Sequence, residues 1–295
     1  MDWDDLRVFL AVAREESLSA AGRRIKADAA TVGRRISRLE DAVGARLFAR
    51  SAQGYQLTDS GLRLLPHAEA AEAATLAASS AALSPDEGLS GLIRLGAPDG
   101  CANFLLPQVI SKICDENPGL EVQLVALPRL FNLSKREADM AIGVSRPETG
   151  RLTVQKLVDY RLILAASQSW LEKNGPISSV SDLKGRRFVG YIPDLIFDKE
   201  LDYLAEIGAP AVAMSSNSAS VQLNFLRQGA GIGMVHDFAM PFAAELRQLL
   251  PEVALTRAFW LIRHADDGRV ARLNTFAKVL VKECRAAMGQ RESIP

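Results

Sequence analysis

The sequence predicts a multidomain protein, with an all-α N-terminal domain built around a winged helix-turn-helix, a long linker helix and a C-terminal α/β region. Short amphipathic helical patterns come first, and a period-two hairpin pattern follows them near residues 46–57. After a long alanine-rich helical segment, short aliphatic strands alternate with helices from residue 91 onward. With 295 residues, the chain is long enough for two or three domains, each with its own core.

Three short helices are predicted at the N-terminus. The first covers residues 6–13, the second has Ser19 as its expected N-cap, and the third has Asp28, whose carboxylate can accept the exposed amides of the first turn. The third helix carries one apolar stripe, formed by Val32, Ile36, Leu39 and Val43. Two short helices joined by such a turn form a helix-turn-helix, whose second helix lies in the DNA major groove.

Basic residues cluster around this third helix, although the whole chain is balanced at 35 Lys and Arg against 35 Asp and Glu. Residues 23–50 contain eight basic and three acidic side chains. A charge run is usually a solvated face, but here the helix-turn-helix pattern favours a surface for double-stranded DNA. Small residues at the helix start allow close approach to base edges. The predicted DNA-binding residues are Ala30, Thr31, Gly33, Arg34, Arg35, Arg38 and Arg50.

A hairpin and a long helix are predicted after the third helix. Gly44 is expected to end that helix, and the hairpin that follows is typical of a wing, from which Arg50 can reach phosphate or the minor groove. Thr58 is the expected N-cap of the long helix, Pro66 interrupts its amide ladder, and residues 84–88 have the composition of a linker. A loosely heptad stripe suits pairing with a second copy. The stripe comprises Leu62, Leu65, Ala68, Ala71 or Glu72, Leu76 and Leu83.

Composition argues against several classes of protein. The acidic N-terminus lacks a signal-peptide pattern, and no window approaches the ~20 apolar residues of a membrane span. Three scattered cysteines fit a reducing cytoplasm better than a disulfide framework. The sequence has no nucleophile elbow, no phosphate-binding glycine loop and no metal-ligand spacing around its three histidines. We therefore expect a cytoplasmic protein that is not an enzyme, does not enter the membrane and carries no cofactor or metal.

The C-terminal region predicts a ligand site where its strands end. Open α/β sheets bind ligands beyond the carboxyl ends of their strands, where helix N-termini present free amides. Two such ends follow the strands IRLGA and VAMS. The candidate ligand contacts at these ends are Asp99, Gly100, Cys101, Asn103, Asn217 and Ser218.

Three of these candidates leave alternatives open. Ser218 is expected to cap the following helix, with or without contact to a small anion. Asp99 argues against a carboxylate effector unless it pairs with Arg146 or points away, and it equally suits a cationic or neutral ligand. Cys101 is either a small buried residue or, if the helix start lowers the pKa of its thiol, a redox sensor.

Several motifs occur in the order and at the spacing of a known family. The segments DLRVFLAVA, AAGRRI, TVGRRISRLE, GARLFAR and GYQLTDSG resemble the DNA-binding domain of LysR-type transcriptional regulators. The segments LIRLGAP, DMAIGV and NSASVQLNFLRQGAGIGMV extend the resemblance more weakly. It implies a dimerising linker helix and an effector domain shaped like a periplasmic binding protein, in which crossing strands join two α/β lobes. It also adds Ser145, Arg146 and Ile192 to the candidate effector contacts.

The domain bounds follow from the motifs and the resemblance together. We expect a DNA-binding domain over 1–58, a linker helix over 59–88 and an effector domain over 89–295. Lobe I is expected to cover about 91–159 and 264–295, and lobe II about 160–263, with crossings near 159–161 and 260–263.

The chain departs from the family pattern at two places. Many members carry Ser-Gln-Pro or Ser-Gln-Ser where this chain has Asp28, Ala29 and Ala30, and a Ser-Arg pair where it has Gly33 and Arg34. The glutamine often used for base contact is therefore absent. We therefore expect DNA contact mainly from Thr31, Arg34 and the wing.

The resemblance implies a transcriptional regulator that binds DNA as a homodimer or homotetramer and responds to a small-molecule effector between its lobes. By population shift, the effector would favour one lobe closure and change how dimers stack on and bend the DNA. One rival is a solute-binding protein without a DNA role, which leaves the N-terminal domain unexplained. Another is a metabolite enzyme in the inter-lobe cleft, which would need a convergent acid, base or nucleophile.

Overall fold

The computed structural model of the chain describes residues 1–51, 54–81, 89–126, 138–148, 150–208 and 212–292. These residues form two compact units. The first contains residues 1–81 and 264–274, and the second contains the described residues between 89 and 263 and from 275 to 292. The wing turn at 52–53, the predicted stripe residue Leu83, the side chain of Leu76 and the predicted linker 84–88 lie outside the described residues.

The first unit begins with three capped helices. These are α1 (Trp3–Glu15), α2 (Leu18–Ile25) and α3 (Ala29–Val43). The Asp28 carboxylate accepts a hydrogen bond from the Thr31 amide at 2.8 Å, as predicted, and Gly44 ends α3 at φ 72°. The predicted cap at Ser19 is wrong. The chain is extended at Ser17, whose hydroxyl accepts the Ala20 amide at 3.4 Å, so Ser19 already lies inside the helix.

The core of the first unit is formed by one face of each helix and by the wing. The rings of Phe9 and Phe48 lie 5.3 Å apart and join α1 to the first strand of the wing. The predicted stripe of α3 is buried at its first three positions, but Val43 is exposed because it is the last residue of the helix. The largest fully buried apolar side chains include Phe9, Leu10, Leu39 and Leu47.

The wing and the linker helix follow in the same unit. Strands β1 (Phe48–Ser51) and β2 (Gly54–Leu57) pair antiparallel, with Arg50 opposite Tyr55. Helix α4 (Asp59–Ala81) contains Pro66, and the hydroxyl of Thr58 accepts the Gly61 amide at 3.1 Å, which confirms the predicted cap. Ion pairing between Arg14 on α1 and Glu72 on α4, at 2.6 and 2.9 Å, attaches the linker helix to the first helix.

The described strands of the second unit form one nine-stranded mixed sheet in the order β4-β3-β5-β11-β6-β9-β7-β8, with β10 paired to β6. The strands are β3 (Gly91–Ala97), β4 (Leu120–Ala126), β5 (Met140–Gly143), β6 (Leu152–Ser167), β7 (Phe188–Gly190), β8 (Val212–Ser215), β9 (Ile232–His236), β10 (Leu246–Gln248) and β11 (Ala254–His264). The helices are α5 (Asp99–Phe104), α6 (Leu106–Glu116), α7 (Gln168–Asn174), α8 (Tyr203–Glu206), α9 (Ala219–Arg227) and α10 (Ala271–Glu292).

The sheet has two parallel portions, and two long strands lie between them. Strand β3 runs parallel to β4 and β5, and β7 runs parallel to β8 and β9. The long strands β6 and β11 occupy the middle, where β11 is antiparallel to β5 and β6 is antiparallel to β9. They span the positions at which the crossings were predicted, so the predicted two-lobe α/β architecture is confirmed.

Candidate DNA-binding surface and effector cleft

The start of α3 presents a chain of hydrogen-bonded polar side chains. The hydroxyl of Thr31 donates to the Asp28 carboxylate at 2.7 Å, and the Arg34 guanidinium donates to the Thr31 oxygen at 2.8 Å. Hydrogen bonds from the side chain and backbone of Thr31 lower the pKa of Asp28, although its carboxylate is exposed. Arg34 is exposed and forms no ion pair with any described residue. The helix start therefore offers an ordered, uncompensated cation.

Acidic residues of α1 neutralise part of the predicted cationic face. Arg38 donates two hydrogen bonds to the Asp5 carboxylate, at 2.5 and 2.7 Å, and Arg35 lies 3.3 Å from Asp4. The Asp5 carboxylate raises the pKa of Arg38, chiefly through its hydrogen bond to the guanidinium. Arg38 and Asp5 are 33 positions apart in the sequence, so no local pattern predicts that they pair. Arg34 and Arg50 remain the predicted contacts without an acidic partner among the described residues.

Two predicted contacts at the helix start, Ala30 and Gly33, are small residues. Ala30 is exposed at the first turn, and Gly33 lies one turn further along the helix. A Cβ added at Gly33 would meet only the Leu18 side chain, at an ordinary 3.6 Å. Packing inside the unit therefore does not require glycine here.

In the second unit, Asp99 and Ser218 come together across the two parallel portions of the sheet. Asp99 begins α5 directly after β3, and Ser218 caps α9 after β8, with its oxygen 3.2 Å from the Val221 amide. The Ser218 hydroxyl donates to the Asp99 carboxylate at 3.0 Å. Asn103 donates to the same carboxylate at 3.1 Å. Three predicted effector contacts therefore form one cluster.

Sequence reasoning missed two partners in this cluster. Ser220 donates to Asp99 through both its amide, at 2.8 Å, and its hydroxyl, at 2.9 Å. The ring of His236 packs against Gly100, where an added Cβ would lie 2.7 Å from the imidazole. His236 lies at the end of β9, beside the buried turn into α5. Its place at the carboxyl end of a predicted strand is the sequence signal that could have identified it.

His236 is neutral at physiological pH. Burial lowers its pKa to about 4, and the nearby Asp99 only partly opposes this. Its ring centroid lies 5.3 Å from that of Tyr160, which stacks on Phe259 at 4.2 Å. An aromatic wall therefore backs the Asp99 cluster.

Two further predicted effector contacts, Ser145 and Arg146, lie outside the Asp99 cluster. Ser145 and Arg146 line a cavity of about 730 Å³ together with Lys199, Arg257 and Trp260. The Ser145 hydroxyl donates to the Asp198 carboxylate at the same cavity.

The last two predicted effector contacts belong neither to the Asp99 cluster nor to the cavity lined by Ser145. Ile192 precedes a short 3₁₀-helix at Pro193–Leu195 and does not line that cavity. Asn217 is half-buried, and its side chain makes no hydrogen bond with the described residues.

The structure contradicts the reactive alternative for Cys101. The side chain is fully buried, and burial raises the pKa of its thiol instead of lowering it. Cys284 is also buried, with its pKa raised to about 12. At neutral pH both groups are thiols, and Cys101 is the small buried residue that the simpler reading predicted.

The described residues contain neither a helix that could span a membrane nor a cluster of metal ligands. None of their helices combines the length and apolar character needed to cross a membrane. Among the same residues, no group of His, Cys, Asp and Glu is arranged to hold a metal ion.

A winged helix-turn-helix joined to a two-lobe α/β domain defines a class of DNA-binding regulator that senses small molecules. The family of bacterial regulatory helix-turn-helix proteins, lysR family, matches residues 3–62, and the LysR substrate binding domain matches residues 86–285. The chain belongs to the LysR family of transcriptional regulators, whose members combine DNA binding with an effector-binding domain.

Individual relatives agree with this assignment over almost the whole chain. The regulator CrgA from Neisseria meningitidis serogroup C (strain 8013) is 24% identical over 287 residues, covering 95% of this chain and 96% of CrgA. A full-length OxyR variant from Pseudomonas aeruginosa has a TM-score of 0.71 at 17% identity, covering 96% of this chain and 94% of OxyR. Full-length LysG from Corynebacterium glutamicum with bound effector Arg has a TM-score of 0.62 at 20% identity, covering 96% of this chain and 98% of LysG.

Proposed function

We propose that this regulator contacts double-stranded DNA through the start of α3 and the wing, with Arg34 and Arg50 as its main cationic contacts. The observation that carries the proposal is the hydrogen-bonded chain from Asp28 through Thr31 to Arg34. It holds a guanidinium that has no acidic partner among the described residues on the exposed side of a helix whose other side is core. Such a preorganised cation suits a base edge or a phosphate. Arg35 and Arg38 act as secondary contacts, because α1 already supplies them with carboxylates.

The experiment is footprinting on the DNA upstream of the protein's own gene, with wild type, Arg34→Ala and Arg38→Ala. We expect Arg34→Ala to lose at least about fivefold in operator affinity, because a good bidentate base contact is worth about 1–3 kcal/mol. Arg38→Ala should lose less. Retained wild-type footprints in a folded Arg34→Ala protein would refute the role of Arg34.

The effector is proposed to bind between the lobes, at the carboxyl ends of β3 and β8. The Asp99 cluster supports this position, because it joins residues of both parallel portions of the sheet. LysG, described with bound Arg, is a fold relative that takes a small molecule. Closure around an effector would then shift the population of DNA-bound arrangements. A change in the footprint with added metabolites is the readout.

We propose further that the protein acts in the cytoplasm as a homodimer through α4, with a tetramer as the DNA-bound form, and that it has no enzymatic activity. The proposed domains are the DNA-binding domain over 1–58, the linker helix over 59–88 and the effector domain over 89–295. Light scattering at graded concentration tests the oligomer. A monomer at micromolar concentration would refute it.

A further inference from the structure

The carboxylate of Asp99 occupies the position that a small anion would take at the N-terminus of α9. Its Oδ2 atom accepts three hydrogen bonds from that helix start, one from Ser218 and two from Ser220, between 2.8 and 3.0 Å. Its Oδ1 atom accepts a further one from Asn103 at 3.1 Å. The donors at this helix start are therefore already directed at a carboxylate supplied by the chain itself.

No cation among the described residues compensates this carboxylate. Asp99 forms no ion pair with any of them, and Arg146, the partner considered from the sequence, instead lines the cavity around Ser145. The imidazole that packs beside Asp99, that of His236, is neutral at physiological pH. A second anion placed at this helix start would therefore meet the negative charge of Asp99, which no cation among the described residues offsets. Like charges this close repel each other, and this repulsion weakens the binding of a second anion.

We propose that Asp99 is a specificity-determining residue, an internal anion that excludes carboxylate and other oxyanion groups from the α9 N-terminus. An effector of this protein meets that end of the cleft with a neutral or cationic group. The inference rests on the proposed effector site and deepens it by naming the ligand chemistry that the site rejects.

Chemical rescue of the full-length protein tests this assignment. Asp99→Ala removes the carboxylate and leaves the hydroxyls of Ser218 and Ser220 and the Ser220 amide directed at the vacated space. Sodium formate and sodium acetate are the probes, with sodium chloride at equal ionic strength as reference. We expect both probes to raise the Tm of Asp99→Ala saturably, with an apparent Kd at least about tenfold below that of wild type.

Further variants test separately the charge of Asp99, the filling of its site and the hydrogen-bond donors around it. Asp99→Asn keeps the site filled and should not respond to acetate, and the double variant Asp99→Ala with Ser220→Ala should respond more weakly than Asp99→Ala. If Asp99→Ala does not fold, Asp99→Ser replaces it with the same expectation. Equal responses of wild type and Asp99→Ala, or no response in a folded Asp99→Ala or Asp99→Ser protein, would overturn the proposal.

The outcome is independent of DNA binding. Rescue by acetate in a protein whose wild type protects no DNA would support the role of Asp99 and count against the proposed function. Protection of DNA by wild type without any rescue would overturn the role of Asp99 alone.

Discussion

Two glycines in the helix-turn-helix allow stability and DNA binding to be separated. Gly33 on α3 has room for a methyl group, because an added Cβ would meet only the Leu18 side chain, at an ordinary contact distance of 3.6 Å. Gly22 on α2 has none, because an added Cβ would lie 2.5 Å from the Ala27 carbonyl oxygen. The same substitution to alanine at the two positions should therefore have opposite effects on the free energy of local unfolding.

The magnitudes follow from helix propensity and packing. Gly33→Ala should stabilise α3 by about 1 kcal/mol, because glycine inside a helix is that much less favourable than alanine. Gly22→Ala gains the same propensity but forces a backbone shift, and overpacking of this kind typically costs about 1–3 kcal/mol. We therefore expect a net loss of up to about 2 kcal/mol at position 22.

Hydrogen exchange of α2 and α3 amides in the full-length protein, followed by mass spectrometry, measures both effects. Gly33→Ala should slow exchange in α3 by about fivefold, the equivalent of about 1 kcal/mol, whereas Gly22→Ala should speed it. In the same protein, Gly33→Ala should weaken operator binding, because Gly33 directly precedes Arg34 on the proposed DNA-binding part of α3, where added bulk hinders close approach to base edges. Faster exchange in Gly33→Ala would refute the packing argument. Undiminished operator affinity would show that Gly33 is not at the interface.

The remaining predictions concern two buried titratable groups. The pKa of His236 is lowered to about 4 in the folded state, whereas the usual pKa of histidine is near 6.5. Between these two pH values the unfolded chain therefore binds more protons than the folded chain. Stability should therefore fall as pH decreases from about 6.5 towards 4, and His236→Gln should flatten that slope in urea titrations; an unchanged slope would show that another group is responsible. The thiol of Cys101 should resist iodoacetamide at neutral pH until the protein is unfolded, because burial raises its pKa. Rapid alkylation of native protein at Cys101, identified by peptide mapping, would contradict that environment.

Local signals along the chain were sufficient for most elements. Asp28 and Thr58 were correctly predicted as N-caps, and Gly44 as a helix end, because capping depends on a few neighbouring amides. The serine at position 17 was missed in favour of Ser19. The left-handed turn at Glu16, at φ 54°, sets where α2 begins, and a non-glycine residue gives little sequence signal for it.

The candidate site was predicted by residue type more accurately than by role. Asp99, Asn103 and Ser218 were each identified from the end of a strand or the start of a helix. Ser218 and Ser220 both donate to Asp99, although they lie 119 and 121 residues from it in the sequence. These hydrogen bonds form only because the two chain segments meet at the sheet edge. No local pattern encodes that meeting.

The sequence by itself determined the family, the helix-turn-helix, the wing and the alternation of strands and helices, because these depend on local periodicity, capping and short-range turns. Tertiary structure alone decided which charges remain available. It paired Arg38 with Asp5 and Arg35 with Asp4, left Arg34 without an acidic partner among the described residues, and buried Cys101. It also directed the α9 donors at Asp99. Electrostatic interactions act through space between residues distant in sequence, so composition gives the number of charges, and the fold determines which of them meet.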